Sequence, residues 1–251
     1  MARYGKTKSL SNKNFGIIGY KTMTNLEAND PVGISFWLIS MAMVAAAVFF
    51  FIERDRVKSH WKTSLTVAGL IQLIAGVHYF YMRGVWVETG ETPTVYRYID
   101  WLLTVPLQMI EFYLILAAIA VVASGVFWRL LLGTIVMLLG GFAGEAGFMD
   151  PTLGFIIGMA GWIFILYEIF AGEASQINAA SGNANCQTAF NGMKWIVTIG
   201  WAIYPLGYFL GYLAGGVNAD ALNGIYNIAD LINKIGFGLF IWVAAVADSS
   251  E

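Results

Sequence analysis

Apolar residues fall into seven long stretches, separated by charges, prolines or clusters of small polar residues. A bilayer core of about 30 Å needs roughly 20 apolar residues per helix, and these stretches have that scale. The first covers 31–52 without a charge and is closed by Glu53, Arg54, Asp55 and Arg56. The second covers 65–82, between Lys62 and Arg83. The third runs from about 95 to 120 and carries Arg97, Asp100 and Glu111 inside it. The fourth is 128–142, starting as early as 126, the fifth 152–167, the sixth 195–214 and the seventh 221–246. The pattern predicts an all-α membrane protein, a bundle of seven transmembrane helices over 30–251, preceded by a polar tail over 1–29. That tail holds Arg3, Lys6, Lys8, Lys13 and Lys21 with no apolar stretch between them, so it reads as a tail and not as a signal peptide. Residues 171–191, rich in Ala, Ser, Asn and Gly, read either as the longest loop or as a loop with helical extensions, with Cys186 inert within it. No internal repeat is visible.

Composition agrees with this picture and narrows it. Hydrophobic residues make up 58% of the chain and charged residues only 12%, against about 25% charged in soluble domains. A net charge of −2 leaves no electrostatic footprint for nucleic acid. One cysteine excludes a disulfide framework, and two histidines leave little for a metal centre. Basic residues crowd the first connection (Arg54, Arg56, Lys58, Lys62), while Arg129 and Lys194 lie near the third and fifth. Weighting charges by closeness to the span ends places these connections in the cytoplasm, the N-terminus outside and the C-terminus inside.

The charges within the spans carry the chemistry. Each costs about 2.5–3.5 kcal/mol at membrane depth and marks a functional candidate. At 100° per residue, Arg97, Asp100, Thr104, Gln108 and Glu111 fall within a stripe of about 60°. Asp100 and Glu111 are about 16 Å apart along that helix, too far to share a proton directly. On the seventh helix Asp230 and Lys234 stand one turn apart on one face. The spacing fits either a buried salt bridge or a lysine that forms a Schiff base with a carbonyl, using Asp230 and Asp100 as counter-charge. Trp201, Tyr204 and Tyr208 recur at helical spacing beside Pro205, with Trp101, Trp162 and Met137 on other helices. Such a set serves as plain packing, or as a cage for a long, flat, apolar ligand.

The run Tyr98-Ile-Asp-Trp-Leu-Leu-Thr-Val-Pro-Leu-Gln-Met-Ile-Glu111 resembles the third helix of the microbial (type 1) rhodopsins, nearest their proteorhodopsin branch. The match continues through Trp201-x-x-Tyr204-Pro205 and Asp230-x-x-x-Lys234, and spans all seven helices in order. The resemblance implies all-trans-retinal bound covalently at Lys234 as a protonated Schiff base. It implies Asp100 as counterion and proton acceptor, Asp230 as second counterion, and Arg97 tuning the cluster from the extracellular side. Glu111 would return a proton from the cytoplasmic side, and Thr104 would hydrogen-bond the Asp100 carboxylate. Trp101, Gln108, Met137, Trp162, Trp201, Tyr204, Pro205 and Tyr208 would line the retinal pocket. Gln108 stands where blue-absorbing members carry Gln and green-absorbing ones Leu.

By the same resemblance His78 matches a histidine that hydrogen-bonds the counterion and makes its protonation pH-dependent. Trp37 matches a residue that meets this histidine across the subunit boundary of a pentamer or hexamer. The Asp100/Thr104/Glu111 triplet resembles outward proton pumps. Chloride pumps lack the first acid, sodium pumps carry Asn, Asp and Gln, and photosensors often lack the last acid. The implied activity is therefore a light-driven outward proton pump in a bacterial inner membrane, moving protons among lipids without enzymatic turnover. The alternatives are a retinal photosensor with a slow photocycle and a seven-helix transporter or receptor without a chromophore. Glu145 and Asp150 read as solvated turn charges, with proton release as their alternative role. Tyr79 reads as a lesser pocket or counterion partner.

Overall fold

In a computed structural model, which describes residues 26–251, the chain forms seven helical spans: Pro31–Arg56, Ser59–Thr89, Thr94–Ala117, Ser124–Glu145, Pro151–Ala180, Ala184–Leu213 and Ala219–Ser250. There is no strand among the described residues. Each span is long and apolar enough to cross a bilayer. The expected tail over 1–29 lies outside the described residues except for 26–29.

Local sequence explains where the spans begin and end. Asp30 and Asp150 each precede a proline and accept hydrogen bonds from first-turn amides, Asp30 from Gly33 N at 2.8 Å and Asp150 from Thr152 N at 3.0 Å. Proline suits a first helical position because its missing N–H has no intrahelical partner there anyway. Asn183 and Asn218 cap the sixth and seventh spans in the same manner. Gly90 closes the second span in the left-handed conformation at φ 69°.

Over 171–191 the structure has the helical extensions that the sequence allowed, and they leave little of the expected loop. Glu173–Ala180 and Ala184–Trp195 are helical, broken only at Ser181–Asn183, where Gly182 takes φ 66°. The polar composition there belongs to helix ends with one wet face, while Ala174, Cys186, Ala189 and Phe190 turn inward and are buried. Cys186 is buried as well, its thiol on the Ile115 carbonyl at 3.4 Å.

Polarity is inverted relative to a water-soluble globule. Leu38, Ile52 and Ile232 are about 60% exposed, whereas Arg97, Asp100, Glu111, Asp230 and Lys234 are buried. Lipid accounts for the apolar outside, and mutual pairing must account for the charged inside. The fourth and fifth spans approach through glycines: a Cβ on Gly154 would fall 2.7 Å from the Gly144 Cα. This close approach shapes one wall of the central cavity.

The sixth span is irregular. Pro205 offers no N–H to the Trp201 carbonyl, which accepts Tyr204 N instead at 3.1 Å. One turn earlier the helix widens over Ile196–Gly200, so Trp201 N reaches Ile196 O at 2.9 Å and passes over Val197. The carbonyls left over are met from neighbouring spans. Trp162 Nε1 donates to Val197 O at 3.0 Å, and Asn233 Nδ2 donates to Gly200 O at 2.9 Å. A second wide turn covers Phe209–Leu213.

Candidate functional site

The third and seventh spans bring four buried charges together. Lys234 Nζ donates to Asp100 Oδ2 and, at 3.1 Å, to Asp230 Oδ2. Arg97 lies farther toward the end of the bundle where the third span begins. Its guanidinium reaches Asn223 Oδ1 at 2.8 Å, Asn227 Oδ1 at 3.0 Å and the Tyr79 hydroxyl at 3.4 Å. Tyr79 in turn donates to Asp230 Oδ2 at 2.7 Å. Two cations and two carboxylates give a neutral set, which is how such charges survive burial. Arg97 makes no direct ion pair with either acid. Its charge reaches Asp230 through a phenol.

The two acids are held very differently. Asp230 also accepts from Tyr204 Oη at 2.5 Å and from Trp101 Nε1 at 3.3 Å. Asp100 accepts only from Lys234, and its Oδ1 is buried with no hydrogen-bond partner. The expected bond from Thr104 to that carboxylate is corrected: the Thr104 hydroxyl bonds the main-chain carbonyl of Asp100 at 2.9 Å. In a helix the carbonyl four residues back is the nearest acceptor for a threonine hydroxyl, and here it wins. His78 approaches without bonding, its Nδ1 being 3.9 Å from Asp100 Oδ1 and 2.9 Å from the Ile74 carbonyl. Tyr79, weighted lightly from sequence, is the group that joins the arginine to the second acid.

Glu111 stands on the same face of the third span, buried and apart from any cation, with neither carboxyl oxygen hydrogen-bonded. Ser64 on the second span is its polar neighbour, though not aligned for a hydrogen bond.

A cavity of about 790 Å³, its opening included, leads away from Lys234 between the third, fourth, fifth, sixth and seventh spans. Trp101, Gln108, Met137, Trp162, Trp201, Tyr204, Pro205 and Tyr208 all line it, with Asp230 and Lys234 at one end. Its size and aromatic lining suit one elongated apolar molecule. Sequence reading missed Tyr98, Phe155, Met159, Tyr226 and Asn233, which line it as well. Asn233 precedes Lys234 in the chain and carries the contact to Gly200, a signal that adjacency alone offered. Phe155 and Met159 lie at helical spacing on the uncharged part of the fifth span, where nothing in the sequence separates pocket from lipid.

Glu145 is corrected from a solvated turn charge to a pocket-lining group. It is half-buried and accepts from the Tyr98 hydroxyl at 2.8 Å. Asp150 is exposed and caps the fifth span. Trp37, on the first span, packs against Phe80 with ring centroids 5.7 Å apart and lies under Arg83 at 5.6 Å.

Comparison with known proteins agrees with this arrangement. The family model of bacteriorhodopsin-like proteins matches residues 30–247. Blue-light absorbing proteorhodopsin from Gamma-proteobacterium Hot 75m4 is 58% identical over 230 residues, 90% of this chain and 91% of that protein. Green-light absorbing proteorhodopsin from Gamma-proteobacterium EBAC31A08 is 58% identical over 229 residues, with the same coverage. The crystal structure of blue light-absorbing proteorhodopsin from Med12 superposes with a TM-score of 0.76 at 58% identity, over 86% of this chain and 98% of that one. Xanthorhodopsin, described as a light-driven ion pump with dual chromophore, gives 0.76 at 26% identity over 87% and 93%. With the seven spans, the buried lysine between two acids and these matches in agreement, the chain belongs to the bacteriorhodopsin-like family, among the proteorhodopsins.

Proposed function

We propose that this protein is a light-driven proton pump that carries retinal on Lys234 and moves protons outward across a bacterial inner membrane. The observation that carries the reading is the inequality of the two carboxylates at Lys234. Asp230 is surrounded by donors from Tyr79, Trp101, Tyr204 and Lys234, so a proton has no free position of comparable quality there. Asp100 touches only Lys234 and keeps one oxygen open. Asp100 is therefore the acceptor, and Asp230 the fixed counter-charge.

The cavity lining suits all-trans-retinal: it holds a nucleophilic amine, and around it stand aromatic and apolar side chains that a polyene can pack against. When bound, retinal supplies visible absorption and a light-driven isomerisation that turns the N–H at Lys234 Nζ away from its acid. A protonated link preserves the single positive charge that the Asp100, Asp230 and Arg97 arrangement balances. Asp100 then accepts the proton from Lys234 Nζ, and the Arg97 charge, held by Asn223 and Asn227, faces the exit side. Glu111 supplies the replacement proton from the opposite side. It is buried without a cation to ionise it, which suits a carboxyl that keeps its proton until asked for it.

The chain is equally similar to blue- and green-absorbing relatives, so colour rests on Gln108. Its side chain lines the cavity, and its Nε2 meets the Asn233 carbonyl at 3.3 Å. An amide dipole there favours the charge-localised ground state and supports blue absorption. Trp37 and His78, on the first and second spans, are the expected contacts of a pentamer or hexamer. The basic first connection supports an N-terminus outside.

The test is to illuminate cells expressing the protein with retinal and record external pH. Acidification that a protonophore abolishes is the expected result. A coloured protein with a slow photocycle and no pH change would identify a photosensor instead.

A further inference from the structure

The end of the bundle nearer Glu111 holds a polar recess that the proton path described so far does not use. His60, Asn183 and Asp248 form its wall, and Ala118 and Ile119 its floor. Asp248 is 8% exposed. Its carboxylate accepts from Asn183 Nδ2 at 2.7 Å and Trp61 Nε1 at 2.9 Å, and lies 3.2 Å from His60 Nε2. The charged groups around the imidazole are this carboxylate, Lys58, whose ammonium donates to the Asp248 carbonyl at 2.6 Å, and Glu251 on the recess wall. The His60 side chain is 37% exposed, so it meets water on one side and Asp248 on the other.

Two helices run inward from there. Along the third span, Phe112, Ile115 and Leu116 separate Glu111 from the recess floor, and all three are buried and apolar. Along the second span, Ser64 lies one turn, about 6 Å, inside His60. Ser64 is 1% exposed and its hydroxyl is unpartnered, as are both oxygens of the neighbouring Glu111 carboxyl. Native interiors rarely leave three such atoms together without a reason in chemistry.

We propose that His60 and Asp248 form a proton-loading site that refills Glu111 by way of Ser64. The imidazole takes a proton from water, and Asp248 holds the imidazolium in the recess. The imidazolium N–H breaks to a water that enters between His60 and Ser64, and this water passes a proton to the Ser64 hydroxyl. The Ser64 O–H proton moves on to form an O–H on the Glu111 carboxylate. The imidazole is then recharged from solvent. This inference rests on the pump reading, because it requires Glu111 to lose a proton in each cycle.

The full chain with retinal, in lipid vesicles, tests it by time-resolved infrared spectroscopy of the Glu111 carboxyl band after a flash. His60→Gln should slow recovery of that band by at least about tenfold. Added imidazole should restore the rate. Ser64→Ala should slow recovery in a way that added imidazole does not relieve, which keeps the test open if the His60 variant is poorly folded. The dark visible band reports intact folding in each case. Recovery in H60Q at the parent rate overturns the proposal, as does slowing that imidazole leaves unrelieved. Absence of any Glu111 band change in the unaltered protein overturns the pump reading itself.

Discussion

Removing Lys234 from the retinal-free protein should cost more than the loss of its own contacts. The buried set holds Arg97 and Lys234 against Asp100 and Asp230, and Lys234 is the only side-chain donor to Asp100 among the described residues. Lys234→Ala leaves Asp100 fully buried and unpaired, and breaking a buried pair in this way costs about 3–5 kcal/mol. In an Asp100→Asn background the same change removes a cation one of whose two carboxylate partners is already neutral. Asp230 there keeps Tyr79, Trp101 and Tyr204, and remains linked to Arg97 through Tyr79. The cost of Lys234→Ala should fall to about 1–2 kcal/mol, leaving a coupling of roughly 2–3 kcal/mol between the two positions. Unfolding of the four retinal-free proteins in mixed micelles, followed by circular dichroism, measures each corner of the cycle. Equal costs in the two backgrounds, with coupling below about 0.5 kcal/mol, would refute the charge balance argued here. Added retinal provides the companion observation: neither protein lacking Lys234 should acquire a visible band that hydroxylamine bleaches.

Three other changes probe separate parts of the site. Glu111→Gln should leave the first proton transfer intact but slow the return of the dark absorption by about tenfold or more, as flash spectroscopy would record. Gln108→Leu should move the visible maximum to longer wavelength, and an unchanged spectrum would remove the amide from the tuning argument. Asn233→Leu strands the Gly200 carbonyl and removes a partner of Tyr204, a loss of about 1–3 kcal/mol that thermal bleaching of the visible band should report.

The fold was legible because lipid enforces a coarse code. Seven apolar stretches and the clustering of Arg97, Asp100, Glu111, Asp230 and Lys234 on two of them were plain in the residue order. The stripe arithmetic for the third helix held because α-helical periodicity leaves little freedom within a span. Side-chain choice among near-equal partners was not legible. Thr104 takes its own helix's carbonyl instead of the carboxylate, and Glu145 turns toward Tyr98 instead of solvent. Both depend on angles of a few tens of degrees that no spacing rule contains. At 171–191 the extent of loop and helix stayed open for a different reason. Polar composition distinguishes water from lipid, not coil from helix, and these helices continue past the apolar boundary.

The sixth helix carries a further consequence in its spare carbonyls. Val197 and Gly200 are tied not to their own helix but to the indole of Trp162 and the amide of Asn233, one from each side. A segment fastened laterally in this way can swing as a unit once either tether lets go, without unwinding its neighbours. Asn233 adjoins the lysine, so a push transmitted along the seventh helix arrives first at the Gly200 latch. Opening of the bundle, wherever it happens in the cycle, would then begin as the release of one side-chain amide and not as the melting of a turn.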